Sequence, residues 1–392
     1  MPAAIVGVHE YKPQRFHLPR MTTGLEDAAD LTFRALEDAG LTLADVNGIS
    51  VSGLFETAMF QPVTLTEYLG ITVDFADAID FGGATPAAMV GRAAMAIQAG
   101  MCDVVVCVVP GVYPPTSDDG IPWTYLGASS YNPGSPQAEF EIPLAHLGQN
   151  APYAFIARRY GAVYGYDERA MAKLAASSRY NASLNPDAIF YDQPVTIEDV
   201  LESRMIASPL HLLEIVRPVT GGCAVIVASE EVARRCRHRP AFVAGYGEGI
   251  AHKSPQFAID MLEPPLTRAA DRAFAKAGVT HADIDAAQIY DCYTIAVLMA
   301  LESAGFCQRG EGMRFVNEHD LRFSGDFPLN TNGGQLGFGQ AGGAGGMTHV
   351  IEGAKQLMGR GEARQVKKCD TVFVSGNGGI MSEQTALILR GH

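Results

Sequence analysis

The sequence lacks clustered metal-binding and disulfide motifs. Its seven cysteines are scattered, without a Cys-x-x-Cys pair, and its ten histidines show neither a His-x-x-x-His nor a His-Glu-x-x-His spacing. Structural zinc sites and the disulfide frameworks of secreted domains are built on such spacings. We therefore expect no metal site and no disulfide framework, and a reducing cytoplasm as the location of the chain.

Positive charge and long apolar runs are also scarce. Lysine and arginine number 29 against 43 acidic residues, which gives 392 residues a net charge of −14. Nucleic acids and anionic membranes attract basic surfaces, so neither is the expected partner. No apolar run is long enough to span a bilayer. The first eight residues resemble a strand and lack the basic start and apolar core of a signal peptide.

Glycine, by contrast, is abundant and concentrated. Residues 333–346 hold eight glycines in fourteen positions, and helix-compatible sequence follows at 347–358. Such density costs backbone entropy and is tolerated where the backbone approaches a ligand or takes a positive φ angle. A glycine loop that opens a helix presents unpaired N–H groups and the positive end of the helix dipole, which suit an oxyanion or a phosphate. We expect the active site here.

Part of this run, residues 337–342, matches the dinucleotide-binding pattern G-x-G-x-x-G. A genuine site directly follows a strand and has an acidic ribose ligand about 20 residues further on. The preceding residues 329–334 are instead turn-like, so we reject a dinucleotide site. A G-x-S-x-G nucleophile elbow is also absent from the sequence.

The chain contains a diverged internal repeat. Residues 34–46 and 272–284 share a helix that ends at glycine, a short turn and a strand, at a constant separation of 238 residues. Apolar strands follow at 103–109 and 371–374, each after a helix. Continuous apolar strands between helices indicate a sheet covered on both faces, hence the α/β class. The expected units are an N-terminal half at 1–235, with an inserted loop region at about 113–215, and a C-terminal half at 236–392.

Polar side chains cluster after the strand predicted at 286–289. Tyr290, Asp291 and Tyr293 occupy the end of this strand, before an apolar helix at 295–304. Catalytic groups commonly lie at the carboxyl ends of strands in α/β proteins. The alternative is that both tyrosines are packing residues with satisfied hydroxyls. The sequence leaves both interpretations open.

Three other segments carry candidate residues. Residues 82–88 open a helix with small side chains, which either allow a ligand to approach or simply start the helix. Residues 375–379 are predicted to form a tight loop after the last strand and to line the same cleft. Tyr246 follows a strand predicted at 241–244, where its position favours a structural role over a functional one.

Two histidines, His146 and His211, lie among apolar neighbours. An isolated histidine in such surroundings is commonly a hydrogen-bonded structural residue. We therefore interpret both as structural rather than as bases.

Four segments, taken in chain order, resemble the thiolase superfamily, specifically its sterol-carrier or lipid-transfer branch. The family's Cys-Ala-x-Gly loop is matched by residues 83–86, its His-Asp-Cys-Phe segment by 290–293, its Gly-His-Pro-x-Gly-Ala-x-Gly loop by 339–346 and its terminal Gly-x-Gly-Gly by 376–379. The resemblance covers nearly the whole chain. It implies a duplicated thiolase fold of the α/β class, with five layers in the order αβαβα, and a homodimer formed through the core sheets.

The chain departs from this family at the catalytic positions. Gly83 stands at the nucleophilic cysteine, Gln340 at the loop histidine that would activate it, and Tyr290 at the histidine of the His-Asp-Cys-Phe segment. The second family cysteine, an acid/base, falls near Ser375. Because glycine cannot form a thioester, this alignment excludes chemistry through an acyl-enzyme.

A thiolase scaffold without its thiol resembles the steroid side-chain aldolases of the same superfamily. These cleave a β-hydroxyacyl-CoA by a retro-aldol reaction without a covalent intermediate, and they work with a small OB-fold, zinc-ribbon partner. The resemblance implies a lyase that acts on a steroid side chain and gives a ketone or aldehyde and a short acyl-CoA. It implies no cofactor in this chain, since the coenzyme A thioester is the substrate, and a heterotetramer with the partner.

The same resemblance implies which residues act. The expected catalytic residues are Tyr290, Tyr293, Asp291, Gln340 and Tyr246, and the expected substrate-binding residues are Gly83, Gly339, Ser375 and Gly378. To act as a base at neutral pH, a tyrosine needs its pKa tuned downward, and Gln340 can hold an enolate oxygen. Two rival hypotheses stay open: a non-catalytic acyl-CoA or lipid-binding subunit, and a decarboxylating or acyl-transferring relative that uses Cys292 or His146.

Overall fold

The computed structural model describes the chain at residues 2–15, 22–54, 57, 59–111, 134–141, 143, 148–253 and 255–391. His146, one of the two histidines discussed above, lies outside these residues. No described helix combines the length and apolar character needed to cross a membrane.

The described residues form eleven β-strands, nine of which belong to one mixed sheet. They are β1 Ala3–Glu10, β2 Gly48–Val51, β3 Phe75–Ala78, β4 Val104–Val109, β5 Met205–Ala207, β6 Leu210–His211, β7 Cys223–Ser229, β8 Ala241–Ile250, β9 Ala286–Ile289, β10 Thr371–Gly378 and β11 Glu383–Arg390. The order in the large sheet is β3-β2-β4-β7-β1-β8-β11-β10-β9. β1 pairs along its length with β7 but only briefly with β8, so the sheet consists of two halves that meet there.

Thirteen α-helices are found in the same described residues. They are α1 Gly24–Ala39, α2 Gln61–Leu69, α3 Thr85–Gln98, α4 Pro136–Phe140, α5 Asn150–Tyr164, α6 Glu168–Ser183, α7 Ile197–Glu202, α8 Glu230–Ala233, α9 Leu266–Ala277, α10 Thr294–Ser303, α11 Gly312–Glu318, α12 Gly334–Phe338 and α13 Gly345–Leu357. Helices α4 to α7 fall within the expected inserted region, whose described part is therefore rich in helix. The domain division at residue 235 stays a prediction.

The two faces of each half-sheet belong to different hydrophobic cores. Val105 of β4 and Val374 of β10 face a central core that contains α3 and α13. Their neighbours point the other way, Val106 into a core under α1 and Phe373 into a core under α9 and α10, as the two-residue period of a strand requires. The layers therefore run helix, half-sheet, central helices, half-sheet, helix. This confirms the five-layer order expected from the resemblance.

The internal repeat is also confirmed. α1 ends at Gly40 and α9 at Gly278, both in the left-handed region, with φ angles of 76° and 65°. Thr42 and Thr280 then each open a short 3-10 turn, whose aspartate accepts the threonine N–H at 2.9 and 2.8 Å. Strands β2 and β9 follow. Matching local sequence thus builds matching local structure in both halves.

A second pair of matching turns leads into the central helices. The sequence Gly-Gly-Ala forms a 3-10 turn at Gly82–Ala84 before α3 and again at Gly342–Ala344 before α13. A Cβ atom on Gly346 would lie 2.2 Å from the carbonyl oxygen of Gly83, so the two helix starts touch through their backbones. Close contact between helices therefore explains part of the glycine density in residues 333–346.

Two strand ends differ from their predicted positions. β10 continues through Gly378, and residues 375–378 pair with β11, so the prediction of a loop after the last strand was wrong. A Cβ atom on Gly378, predicted to bind substrate, would lie 1.8 Å from the carbonyl oxygen of Phe81. Glycine is needed at this last residue of β10 because another backbone comes close. β8 likewise continues to Ile250, so Tyr246 lies inside it.

Candidate active site

The phenol ring of Tyr290 fills the space beside Gly83. A Cβ atom on Gly83 would lie 2.2 Å from both Cζ and the hydroxyl oxygen of Tyr290. Non-bonded atoms do not pack so closely, so no larger residue fits at position 83 while the ring stays in place. The chain departs from thiolases at both Gly83 and Tyr290, and these two residues are therefore in direct contact. Both were predicted to belong to the site.

The Tyr290 hydroxyl is held by an amide in a buried setting. Nε2 of Gln340 donates to the phenol oxygen at 3.1 Å. The residue is only 5% exposed. Burial raises the pKa of Tyr290 well above its ordinary value, and the amides of Gln340 and Gln335 only partly oppose that rise. The phenol is therefore neutral at physiological pH. The shift is opposite in direction to the one that a tyrosine acting as a base at neutral pH would need.

Gln340 is fixed by its backbone at the edge of the site. Its N–H donates to the carbonyl of Arg217 at 2.9 Å, and its own carbonyl accepts the N–H of Val219 at 2.9 Å. Gln340 is partly exposed, in contrast to Tyr290. Its amide can therefore meet both the phenol and a ligand that arrives from solvent.

The other predicted substrate-binding residues have mainly structural contacts. Gly339 has a φ angle of 116°, and its N–H donates to the carbonyl of Gln335 at 3.1 Å, which closes α12. Gly376 faces the turn before α3, where a Cβ atom would lie 2.8 Å from Cα of Ala84. Strand alternation then turns Ser375 to the opposite face. The β10 residue nearest the opening of α3 is thus Gly376 and not Ser375.

Asp291 is a fully buried carboxylate that holds the start of α12. Its oxygens accept the backbone N–H groups of Gln335 at 2.7 Å and Leu336 at 3.2 Å. Oδ1 also lies 3.2 Å from Nε2 of His349. A carboxylate at a helix start is stabilised by the free N–H groups and by the helix dipole. These contacts fix the start of α12 to the residue that follows Tyr290 in the sequence.

Tyr293 is held by helix α5, which belongs to the inserted region. Its ring stacks on Tyr153, with centroids 4.2 Å apart and an interplanar angle of 21°. Its hydroxyl donates to Oδ1 of Asn150 at 2.7 Å. Sequence reasoning missed Asn150 and Tyr153 because Asn150 lies 143 residues from Tyr293 and no local motif joins them.

The Cys292 thiol lies in a buried polar chain below the tyrosines. Nδ2 of Asn377 is 2.9 Å from the Tyr153 hydroxyl and 3.7 Å from Sγ of Cys292, and Gln384 donates to Oδ1 of Asn377 at 2.7 Å. Burial raises the pKa of the Cys292 thiol to about 12. A protonated, enclosed thiol is a poor nucleophile. The geometry therefore gives no support to acyl transfer through Cys292.

Tyr246 does not join this cluster. A Cβ atom on Gly91, in the middle of α3, would lie 2.3 Å from its ring. Its hydroxyl donates to Oε2 of Glu248 at 2.5 Å. Tyr246 thus packs β8 against α3, away from the turn that contains Gly83.

The starts of α3 and α13 give the site its electrostatic character. Neither helix has a side-chain cap, and the turns before them are exposed at Gly82 and Gly342 and partly exposed at Gly83. Helix starts carry positive potential, which favours a negative oxygen. The first N–H groups, those of Thr85 and Gly345, are already bonded within the preceding turns, so this potential comes from the helix dipoles. Two such starts beside a neutral phenol can stabilise an oxyanion while a proton moves. Within the described ranges, no three His, Cys, Asp or Glu side chains converge as metal ligands.

Known proteins share these features. A family model described as thiolase C-terminal domain-like matches residues 247–391. The 17-hydroxy-3-oxo-4-pregnene-20-carboxyl-CoA lyase of Mycobacterium tuberculosis is 32% identical over 362 residues, which cover 90% of this chain and 91% of that protein. The chain belongs to the thiolase superfamily.

Two further relatives place this thiolase-superfamily chain near the aldolases. The steroid side-chain-cleaving aldolase of Thermomonospora curvata is 33% identical over 83% of this chain and 84% of its own length. A chain in the solved structure of the Ltp2-ChsH2(DUF35) aldolase is 29% identical, with a TM-score of 0.83, and the match covers 99% of this chain and 97% of that one. The resemblance to steroid side-chain-cleaving aldolases is thereby confirmed.

Proposed function

We propose that this chain is a carbon–carbon lyase that cleaves a β-hydroxyacyl-CoA by a retro-aldol reaction. The observation that carries the proposal is the contact between Gly83 and Tyr290: a phenol fills the space that a nucleophilic thiol would need. Two relatives bear the names of a carboxyl-CoA lyase and a steroid side-chain-cleaving aldolase. The substrate class we propose is therefore a steroid side chain bound as its coenzyme A thioester.

The reaction balances with the atoms of the substrate alone. A proton leaves the β-hydroxyl, the Cα–Cβ bond breaks, and its electron pair passes to the thioester as an enolate. Cβ becomes the carbonyl carbon of the released ketone or aldehyde. As the enolate forms, Cα gains a proton to give the short acyl-CoA.

Tyr290 suits both proton transfers because it rests as a neutral phenol. It can accept the proton of the β-hydroxyl while it gives its own proton to Cα. Gln340, whose Nε2 lies 3.1 Å from the phenol oxygen, stabilises the negative charge that passes over that oxygen. The starts of α3 and α13 stabilise the enolate oxygen. Tyr293 has its hydroxyl bonded to Asn150 and supports the wall of the site.

The direct test is product release from steroid coenzyme A thioesters that carry a β-hydroxyl. The chain is incubated with them alone and together with a co-expressed DUF35-type partner, and products are identified by mass spectrometry. We expect a ketone or aldehyde plus a short acyl-CoA, and Tyr290→Phe should lower kcat at least about 100-fold. Tyr191→Phe, at a tyrosine that is 49% exposed, is the matched control.

The same experiment separates the rival hypotheses. If substrate binds but is recovered intact in the presence of the partner, the proposal fails and a non-catalytic acyl-CoA-binding subunit is favoured. A covalent acyl adduct on the chain would instead favour acyl transfer.

We also propose that the chain acts in a complex. The solved structure of the Ltp2-ChsH2(DUF35) aldolase has a second component in its name, which supports a partner of the small OB-fold, zinc-ribbon kind. We expect a homodimer of this chain with two partner molecules, in the cytoplasm, and no resident cofactor. Light scattering on the co-expressed, co-purified proteins would give the mass of the complex. A monomeric chain that leaves the partner behind would contradict this proposal.

A further inference from the structure

We propose that Asn330 is a positioning residue for Tyr290, because its side-chain amide fixes the peptide group that leads into that tyrosine; this inference rests on the function proposed above. The sequence indicated only a turn at residues 329–334. In the structure Asn330 is 1% exposed and directly follows Leu329, which lies beside Ala287 of β9.

The backbone of residues 328–330 lines one edge of β9. This strand is the last in the large sheet and pairs with β10 on its other edge. Ala287 donates its N–H to the carbonyl of Pro328, and its own carbonyl accepts the N–H of Asn330, both at 2.9 Å. Alternate residues of a strand direct their polar groups to the same side, so Ile289 needs partners on this edge as well.

The amide of Asn330 satisfies both backbone groups of Ile289. Its Oδ1 accepts the N–H of Ile289 at 2.7 Å, and its Nδ2 donates to the carbonyl of Ile289 at 2.9 Å. The side chain thereby continues the hydrogen-bond ladder while the backbone turns away, with a φ angle of 48°. A glycine would allow the same turn. What asparagine adds is a donor and an acceptor on one short side chain.

The carbonyl that Nδ2 holds belongs to the peptide bond between Ile289 and Tyr290. Because a peptide group is planar, this hydrogen bond sets the direction in which the Tyr290 side chain leaves the strand. The phenol oxygen is at the far end of that side chain, beside Gly83 and 3.1 Å from Nε2 of Gln340. A small rotation of the peptide therefore displaces the hydroxyl from both neighbours.

Asn330 is itself held by the inserted region. Its carbonyl accepts the N–H of Gly333 at 2.8 Å and Nδ2 of Asn181, on α6, at 3.2 Å. The same Nδ2 donates to the carbonyl of Leu329 at 2.9 Å, and Oδ1 of Asn181 accepts the N–H of Phe323 at 3.0 Å. The turn is thus fastened to α6 on one side and to the end of β9 on the other, which makes it a fixed support.

Asn330→Gly tests this role, because it removes the amide and still permits the positive φ angle. The variant is assayed with the co-expressed partner on the β-hydroxyacyl-CoA that wild type cleaves. We expect kcat to fall at least about 10-fold and KM to change less than about 2-fold, since a reacting group is displaced while the remaining contacts to substrate persist.

Asn47→Ala is the matched control for a purely structural effect. Oδ1 of Asn47 accepts the N–H groups of Asp103 and Val104 at 2.9 and 3.0 Å, so this substitution also removes two hydrogen bonds from the backbone of a strand. Both substitutions should lower the urea midpoint of unfolding, but kcat in Asn47→Ala should stay within about 2-fold of wild type. Wild-type kcat in Asn330→Gly, or an equal loss of kcat in the control, overturns the inference.

A second variant covers the case in which Asn330→Gly does not fold. Asn330→Asp keeps the shape of the side chain and the acceptor for the N–H of Ile289, but it places an oxygen against the carbonyl of Ile289. We expect the same loss of kcat, and wild-type kcat in this variant contradicts the proposed role of the Nδ2 bond.

A second readout does not depend on the proposed function. Tyrosine labelled with carbon-13 at Cζ gives a resonance for Tyr290 that is identified by its loss in Tyr290→Phe. We expect that resonance to move in Asn330→Gly and Asn330→Asp and to keep its wild-type position in Asn47→Ala. If wild type cleaves no β-hydroxyacyl-CoA, the proposed function fails while this measurement still decides the inference. An unchanged resonance in the folded Asn330 variants overturns it.

Discussion

At position 83 the missing side chain makes room for the phenol of Tyr290. The two groups exclude each other, because a Cβ atom there would lie 2.2 Å from the ring. A cysteine placed at position 83 therefore does not recreate a thiolase site unless Tyr290 is also replaced. The loss of the thiol and the gain of the tyrosine therefore form a single structural change. The same change removes acyl transfer through a cysteine and provides the phenol that we propose for retro-aldol cleavage.

Gly83→Ala tests this exclusion, and the second Gly-Gly-Ala turn offers a matched control. The new methyl group must displace Tyr290, and overpacking of this kind costs about 1–3 kcal/mol. Moving a reacting group by about 1 Å lowers the rate by about 100-fold, so we expect at least that loss of kcat in product assays. Gly343→Ala occupies the equivalent position before α13, where the nearest atom to a Cβ is Cγ1 of Val109 at 4.0 Å. Equal activities of the two variants would refute the exclusion argument.

The raised pKa of the Cys292 thiol leads to a second prediction, which concerns its alkylation. Its thiolate forms only near pH 12, so at pH values well below that the thiol is protonated. Treatment with iodoacetamide under mildly alkaline conditions should therefore leave both Cys292 and the lyase activity intact, as measured by peptide mass spectrometry and product assay. Cys236 is partly exposed and reports that the reagent is active. Activity lost in proportion to label on Cys292 would revive the acyltransferase hypothesis.

Of the helices and strands, α5 makes the largest contribution to the site that the sequence did not predict. It belongs to the inserted region, yet it supplies Asn150 and Tyr153 to the wall that holds Tyr293. The insertion therefore completes the site and is more than a surface loop. Substitutions in α5 are therefore expected to disturb the position of Tyr293, even when the glycine turns before α3 and α13 are unchanged.

The hydrogen bond between Tyr293 and Asn150 provides a test of this role. Tyr293→Phe and Asn150→Ala remove the same 2.7 Å contact, so each should lower the free energy of unfolding by about 1 kcal/mol or more, measured in urea. The double variant should be no less stable than the worse single variant, because the shared interaction is lost only once. Tyr164→Phe, at a tyrosine that is 39% exposed at the end of the same helix, should change stability by less than about 0.5 kcal/mol. Fully additive losses would mean that the two residues act separately.

Elements that depend on neighbouring residues were predictable, whereas contacts between distant elements were not. Gly83 and Tyr290 were predicted for the site because each lies in a recognisable local motif. Asn150 and Tyr153 were missed because their roles arise from packing against other elements, which no local pattern records. Gly378 was interpreted as loop because glycine usually interrupts strands. Here it is the last residue of a strand and allows close contact with Phe81.

On the scale of the whole molecule, the site exists only where the two halves meet. α3 comes from the first half and α13 from the second, and their starts touch at Gly83 and Gly346. Both helices bury side chains in the central core between the half-sheets. The pairing of β1 with β8 is short, so the halves also depend for their contact on the central helices and on helices α5 and α6 of the inserted region. Interactions that hold the halves together therefore also maintain the site.

Asp38 makes one such interaction, which links α1 to the segment after α13. Its oxygens accept hydrogen bonds from Arg360 at 2.8 and 3.0 Å and from the N–H of Val8 at 2.9 Å, and Nε2 of His238 lies 3.2 Å away. Burial alone would raise the pKa of Asp38, but the bonds from Arg360 and Val8 hold it below its ordinary value. A lowered carboxyl pKa in the folded state stabilises the protein above the unfolded-state pKa of about 3.9. That contribution is lost as the pH falls through the folded-state value.

Asp38→Asn should therefore reveal a pH-dependent bond between the halves. We expect it to lower the free energy of unfolding in urea by about 1–2 kcal/mol at neutral pH, since a hydrogen-bonded charge pair is lost from a half-buried site. The difference from wild type should shrink steadily once the pH drops below about 3.9, as the wild-type carboxylate also becomes protonated. Glu230→Gln, which removes the partner of the exposed Arg234, should cost less than about 0.5 kcal/mol at any pH. A deficit in Asp38→Asn that stays constant down to acid pH would mean that packing, and not the charge on Asp38, joins the halves at this point.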